Sequence, residues 1–583
     1  MDKYSYISNA HTDYIDELYK TYKTEPEAVD SSWQKFFEGF DFSKNVAGEN
    51  GIVADTGFSS KEIQVIELIN AYRNRGHLQS KTNPIRERKD RQAKLELSDF
   101  QLSEKDLNNN FHAGNLIGLG NTSLKNILDK LKAVYEGPLG YEFMYIRNND
   151  IREWFMNKVE TEYSKYQPSL DQKKRILLKL NEAVVFENFL HTKYVGQKRF
   201  SLEGGEAAIP ALDTIINLGA ELGLEEIMIG MAHRGRLNVL ANIMGKTYEQ
   251  IFNEFEGNAI PDLTMGDGDV KYHMGYSSEI TTPSNKTIHL KLAPNPSHLE
   301  AVNPVVEGYV RAKAYSIYKK DYSKIMPIII HGDAALAGQG IVYEVAQMEK
   351  LEGYYTGGTI HLVINNQVGF TTDFEQARSS TYSTDVAKVI ESPVIHVNGD
   401  NLEAVVFAVN TAIEFRQKFN RDIYVDIVCY RKYGHNESDE PRFTQPLLYD
   451  KISKHKNARE YYSESLIKRG DIDQELAHEM ESEFKNLLQE RLNFVKQTPL
   501  PYTYQKFEQE WRELRQSTPE DFKKSPDTAI NQDTFDKVAG ASYWEELVEE
   551  GKKTEVDLDA YRNEVAPDDI LTLIYTSGTT GTP

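Results

Sequence analysis

The chain reads GDAALAGQG at 332–340 and, after a helix-like stretch, LVINNQ at 362–367. An unbroken apolar run, IMPIIIH (325–331), leads into the first string, and a second run, TIHLVI (359–364), leads into the Asn pair. Short apolar runs bounded by polar turns read as strands buried on both faces, the pattern of a parallel sheet. In an open α/β sheet, ligands bind beyond the carboxyl ends of the strands. Gly332-Asp333 and Asn365-Asn366 are therefore expected at one sheet edge, separated by one β-α-β excursion. Asp333 and Asn366 then offer two hard oxygens, one charged and one neutral. Hard oxygens that leave room for phosphate oxygens suit magnesium. The segment has no GxxxxGK[ST], so it is not a nucleotide P-loop.

Each half alone has a plainer reading: a GD at a strand end as a turn with a helix cap, and paired Asn as loop hydrogen bonding. Ordered together at this spacing, GD and NN resemble the thiamine-diphosphate motif.

A length of 583 residues suggests about four domains. The formal net charge of −22 argues against nucleic acid or an anionic membrane as a partner. The basic run RERKDRQAK (86–94) sits among acidic residues and reads as a solvated linker. Cys429, the single cysteine, precludes an intrachain disulfide and lies in the strand-like IYVDIVCY (423–430), the setting of an inert core thiol. The amino terminus carries neither a secretory nor a transit pattern, and no apolar run approaches bilayer length. A soluble cytoplasmic protein is expected.

Candidate strands are EEIMIGM (225–231), IMPIII (325–330), TIHLVI (359–364), PVIHV (393–397) and IYVDIVCY (423–430). Their alternation with helical segments predicts an α/β fold, a doubly wound and mostly parallel sheet. It is preceded by a helical region and a flexible amino-terminal segment. The expected divisions are a partner-binding segment (1–45), a linker (46–103), a helical domain (104–190), the α/β diphosphate domain (191–480), a helical connector (481–540) and a separate tail (541–583). Trp33, Phe36, Phe37 and Phe40 share one helical face, which either docks on its own domain or anchors a partner. The tail ends in YTSGTTGTP (575–583), which resembles the phosphate loop of the acyl-CoA synthetase group.

HTKYVGQKRFSLEGGEAAIPAL (191–212), MAHRGRLNVLAN (231–242), GDVKYHMG (268–275), NPSHLEAVNPVVEG (295–308), HGDAALAGQG (331–340), NNQVGFTT (365–372) and YGHNESDEPRFTQP (433–446) occur together. As a set they resemble the first, decarboxylating component of the 2-oxoglutarate dehydrogenase complex, over about residues 1–540. The resemblance implies thiamine diphosphate and Mg2+ as cofactors. It implies Asp333, Asn366 and the carbonyl of Val368 as metal ligands. Arg234, Ser297, Leu299 and Ala334 would line the cofactor, and His233 and His273 would lie near the substrate. His435 either caps a strand end or faces the site, and His298 reads as structural. The implied activity is thiamine-dependent decarboxylation of 2-oxoglutarate, with succinyl transfer to lipoyl groups of a dihydrolipoyl succinyltransferase core. Relatives are homodimers. The aminopyrimidine-binding domain and its activating glutamate would lie after position 540, so the chain as written is expected to be inactive. The alternatives are a non-catalytic docking module for that core, or an adenylate-forming ligase fragment.

Overall fold

The computed structural model describes residues 12–30, 33, 34, 37, 60–87, 89–257, 270–295, 299–498, 515, 517–523, 525 and 527–539. Contacts divide the chain into Met1–Thr503 and Tyr504–Pro583. In the second unit the described residues form a 3-10 turn, Pro519–Lys523, and a helix, Gln532–Ala539. Asp521 accepts from the Thr518 backbone N–H at 2.6 Å and pairs with Arg515 at 2.5 Å. The unpatterned stretch 42–57, Phe36, Phe40, Ser297, His298 and the 541–583 tail lie outside the described residues.

The first unit is built on one eight-stranded sheet: β1 (Leu139–Glu142), β2 (Glu226–Met231), β3 (Tyr276–Thr281), β4 (Thr287–Leu292), β5 (Ile325–Gly332), β6 (Ile360–Asn365), β7 (Val394–Asn398) and β8 (Ile423–Val428). Its spatial order is β1-β7-β8-β6-β5-β2-β4-β3. The six strands from β7 to β4 pair in parallel, and β1 and β3 close the two edges antiparallel. Five strands match the five apolar runs of the sequence. The parallel strands other than β4 are covered on both faces, so their residues alternate between two cores rather than between core and water. Ile328 and Ile330 of β5 enter the largest apolar cluster, while Ile329 joins a second with Val302, Val306 and Val310 of the helix Val302–Ser316. The helix Leu170–Lys193 begins at Ser169, which accepts from the Gln172 N–H in a capping box.

Three strands were not expected. β1 is a four-residue LGYE segment without an apolar run, and it arises inside the 104–190 stretch expected to be helical. β3 and β4 form a hairpin whose residues alternate in burial or stay half-exposed. The expected linker 46–103 also differs, because it contains the helix Ser60–Arg75. Val65, Leu68, Ile69 and Tyr72 of that helix are spaced for one face and are buried in the main core. Nor is the basic run a solvated linker. Arg86 pairs with Asp373, the Ala93 carbonyl accepts from Arg75 at 2.8 Å, and Ala93 and Leu95 are buried. At the amino terminus Phe37 is buried against Tyr19, Tyr22 and Trp33, with ring centroids 5.1–5.6 Å away.

Two buried polar clusters tie the layers together. Arg416, in the helix Leu402–Phe419, is fully buried. It donates to the carbonyls of Tyr322 (2.8 Å), Ile325 (2.9 Å), Thr356 (3.1 Å) and Gly358 (2.9 Å). Gly358 sits at φ +90°, and a Cβ there would lie 2.5 Å from the Arg421 backbone. At the other end of the sheet, His396 of β7 contacts Asp426 at 2.7 Å and Glu142 at 2.9 Å. Glu142 also receives Lys388 at 2.7 Å. Burial alone would depress the His396 imidazole, but these two carboxylates outweigh it and lift its pKa to about 9. Burial would raise Glu142, yet His396, His77 and Lys388 hold it at about 2.

Two outcomes follow from these clusters. Arg416→Met strands four buried carbonyls and should cost about 3–5 kcal/mol in urea unfolding. The His396 contribution is complete below the imidazole's ordinary 6.5 and is lost as pH rises toward about 9. The Glu142 contribution is complete above 4.5 and is lost only as pH falls toward about 2. Unfolding free energy should therefore decline between pH 6.5 and 9 by an amount on the order of 3 kcal/mol, and His396→Gln should flatten that decline.

Candidate functional site

Strand register places the site. β5 and β6 pair in parallel with His331 opposite Val363 and Gly332 opposite Ile364, so both strands run out at the same height. Beyond β5, Asp333 opens the short helix Asp333–Gly338. Beyond β6, Asn366 precedes Gln367 at φ +67°, a left-handed residue that turns the chain back toward the cavity. The Asn366 side-chain oxygen accepts from the Val368 N–H at 3.3 Å, and Val368 pairs across a two-residue ladder with Asp373.

The height of the two strands is pinned from behind by a buried chain of side chains. His331 Nδ1 lies 2.8 Å from Glu300, His331 Nε2 lies 3.0 Å from His361 Nδ1, and His361 Nε2 lies 3.2 Å from Asp422. Burial, with His331 alongside, pushes the His361 pKa well below its ordinary value, so this ring is neutral.

The cavity at this edge is lined by Ala232, His233 and Arg234 after β2, by Gly332, Asp333 and Ala334 after β5, by Asn366, Val368 and Phe370 after β6, and by Arg431 and His435 after β8. Four strand ends thus converge, as the sheet-edge rule requires. Asp333 is 2% exposed and Asn366 8%. Burial raises the Asp333 carboxyl against the opposing pull of Arg378, whose Nη1 lies 3.1 Å from Oδ2. Arg234 donates to the carbonyls of Ser201 (3.0 Å) and His435 (2.7 Å). Burial, and then its neighbour Arg431, press the Arg234 pKa to about 10, so it remains a cation near neutral pH. Arg431 itself donates to the Phe370 carbonyl at 2.9 Å and to Tyr433 at 3.1 Å. Two guanidinium groups beside a buried carboxylate and a carboxamide form a pocket for a polyanion carrying its own metal.

Of the residues named from the sequence, His233, Arg234, Asp333, Ala334, Asn366 and Val368 come together here. His273 and Leu299 are not part of this lining. His273 is two rings removed from His233: Tyr272 meets it edge-on at 4.9 Å and also meets Phe200, which lies on His233 at 3.8 Å. Leu299 is 59% exposed, and Ser297 lies outside the described residues. The sequence left His435 open; it faces the cavity, 5.8 Å from the His233 ring and 4.9 Å from Phe370. Arg431, Phe370 and Phe200 were missed. Arg431 stands just past a predicted strand, where the rule that identified Asp333 applies equally. Phe200, at φ +50°, carries no such signal.

Two glycines show how closely the backbones approach. A Cβ on Gly369 would lie 2.7 Å from the Ala334 methyl, whereas one on Gly332 would meet nothing within 4 Å. The space above Gly332-Asp333 is therefore open, and the buried Asn365 side-chain oxygen nearby has no hydrogen-bond partner. Among the described residues no three His, Cys, Asp or Glu side chains converge as a metal site. A cation held by Asp333 and Asn366 would need further ligands of another kind, such as a carbonyl and phosphate oxygens. Among the described residues no helix is long and apolar enough to cross a membrane.

Comparison with known proteins fits this geometry. Residues 179–503 match the family described as Dehydrogenase E1 component, and residues 4–44 match 2-oxoglutarate dehydrogenase N-terminus. The chain is 43% identical over 507 residues to the 2-oxoglutarate dehydrogenase E1 component of Cupriavidus necator, covering 82% of this chain and 53% of the relative. It is 41% identical over 510 residues to the protein of that name from Azotobacter vinelandii, covering 83% and 54%. It is also 47% identical over 444 residues to the Multifunctional 2-oxoglutarate metabolism enzyme of Mycolicibacterium vanbaalenii, covering 75% and 36%. The chain thus spans about half the length of the first and second of these relatives and about a third of the last. Since the matched span contains every strand end that lines the cavity, the chain belongs to the dehydrogenase E1 component family.

Proposed function

We propose that this chain carries the metal-diphosphate half of a 2-oxoglutarate dehydrogenase, succinyl-transferring and thiamine-dependent. The observation that carries the reading is the convergence of Asp333, Asn366, Arg234 and Arg431 on one cavity at four strand ends. Dehydrogenase E1 components depend on thiamine diphosphate. The residues present fit its diphosphate and a magnesium ion: Asp333, Asn366 and the Val368 carbonyl for the metal, and the open floor over Gly332 and Ala334 for the phosphates. Ser297 and Leu299 complete the proposed cofactor contacts. When bound, thiamine diphosphate supplies the electron sink that allows a 2-oxo acid to lose carbon dioxide.

The protein's own part is orientation and charge. Arg234 and Arg431 are fixed by carbonyl acceptors, so their positive charge needs no reorganisation when an anion arrives. His233 and His435, held against Phe200, can donate to a substrate carboxylate. His273 serves the same substrate from behind Tyr272. The buried Phe200 ring shields one side of both imidazoles from water. Charge and chemistry favour a 2-oxo-diacid, 2-oxoglutarate, over a neutral substrate.

The proposed partners are a second copy of the E1 chain and the dihydrolipoyl succinyltransferase core, the latter met by the aromatic segment around Trp33 and Phe37. The match of residues 4–44 to a 2-oxoglutarate dehydrogenase amino terminus supports that assignment. The lone buried thiol of Cys429 is in keeping with the reducing cytoplasm. The sequence YTSGTTGTP (575–583) is proposed as part of an acyl-CoA-synthetase-like segment.

Isothermal titration with thiamine diphosphate in excess Mg2+ tests the reading. Asp333→Ala should abolish the Mg2+-dependent part of binding. Arg431→Met should weaken it roughly 10- to 100-fold, the worth of one charged hydrogen-bond donor. His233→Asn should leave cofactor affinity unchanged and weaken 2-oxoglutarate binding to the loaded protein about tenfold. Diphosphate binding that is indifferent to Asp333 and Arg431 would refute the site.

A further inference from the structure

Asp333 is held in the structure by a cation of the protein's own, Arg378, which pairs with this carboxylate and packs on the Phe374 ring. The Arg378 side chain is 8% exposed and lies 3.1 Å from Asp333. Its Nε is buried without a hydrogen-bond partner. Other buried arginines here are fully engaged: Arg416 donates to four carbonyls, and Arg199 contacts Glu187, Glu203 and Glu437. A structural arginine with one ionic partner and an unmatched donor is poorly knitted into its surroundings. Its geometry suits a charge that neutralises Asp333 and can leave.

The segment bearing Arg378 is itself strapped down by the basic run that the sequence reading took for a linker. Arg86 pairs with Asp373, Lys89 lies 3.5 Å from Glu375, and Arg91 donates to the Thr381 carbonyl at 3.4 Å. The Phe374 ring lies 5.0 Å from the Arg86 guanidinium and 5.4 Å from that of Arg378. Tyr382 ends the segment with its hydroxyl 2.9 Å from His77. The strap also reaches the NNQ turn, where Asn83 donates to Gln367 at 2.7 Å. The basic strap therefore holds residues 372–382 where Arg378 meets Asp333.

We propose that Arg378 is a counter-ion latch: it holds the Asp333 carboxylate while no metal is bound, a divalent cation must displace it, and the 83–91 strap sets how firmly it is held. This rests on the reading of Asp333 as a metal ligand. Guanidinium and divalent cation compete for one carboxylate and repel each other across a poorly solvated cavity, so they cannot share it cheaply. Metal binding and release of the 372–382 segment are then linked, each opposing the latch by the same free energy.

Mn2+ titration of the whole chain without cofactor, followed by electron paramagnetic resonance, tests this directly. Arg378→Gln should bind Mn2+ about tenfold more tightly than the unaltered protein. Asp373→Asn, which loosens the strap while leaving Arg378 in place, should tighten binding about two- to fivefold and carries the test if Arg378→Gln misfolds. In the unaltered protein, saturating Mn2+ should speed amide exchange over 372–382. Equal or weaker Mn2+ binding by both variants overturns the latch alone. Absence of saturable Mn2+ binding in all three forms overturns the metal reading as well.

Discussion

Everything at the cavity depends on β5 and β6 ending level with each other. Parallel backbone pairing sets that level, and the direct His331–His361 hydrogen bond at 3.0 Å locks it. A slip of one residue would turn Asp333 and Asn366 away together, because side chains alternate along a strand. The lock is expensive to disturb. Its members run from Glu300 to Asp422 with both ends carboxylate, so any one removed leaves a polar partner buried and unmatched. Such a chain favours one register over its neighbours more than it adds stability.

The electrostatics invert between surface and site. The molecule carries a formal charge of −22, yet its cavity presents Arg234, Arg378 and Arg431 within one concave lining and its margin. An anionic ligand approaches against the overall field and is captured only by the local one. The positive charges are fixed in different ways: Arg234 and Arg431 by carbonyls of turns, and Arg378 by the Asp333 carboxylate.

The chain's periodicity made the central sheet legible, since a strand buried on both faces must be apolar throughout. The runs around Ile229, Ile329, Val363, Ile395 and Val425 could hardly be anything else. The same rule located Asp333 and Asn366 at strand ends, whereas Arg234 was named only through the family resemblance. The rule fails at the sheet edges: β1 is buried at all four positions yet has no apolar run, and β3 is only half-buried. It also fails where a side chain matters through contacts distant in sequence. The loop sequence around Phe200 gives no hint that it covers His233. RERKDRQAK looked solvated because its acceptors, Asp373, Glu375 and the Thr381 carbonyl, lie nearly three hundred residues further on. The helix Ser60–Arg75 is a different case: its spacing at Val65, Leu68, Ile69 and Tyr72 was readable and was passed over.

That separation has a meaning during synthesis. Arg86 and Asp373 are 287 positions apart. At ribosomal rates of 5–20 residues per second, the basic strap is made roughly 15–60 s before the segment it restrains. For that interval Arg86, Lys89 and Arg91 are unpaired cations on a nascent chain, and the apolar helix Ser60–Arg75 beside them lacks most of its sheet. The elements around Asp333 therefore cannot settle until Asp373, Arg431 and His435 have all been made, so a delay in synthesis would be felt at the edge that carries the cavity.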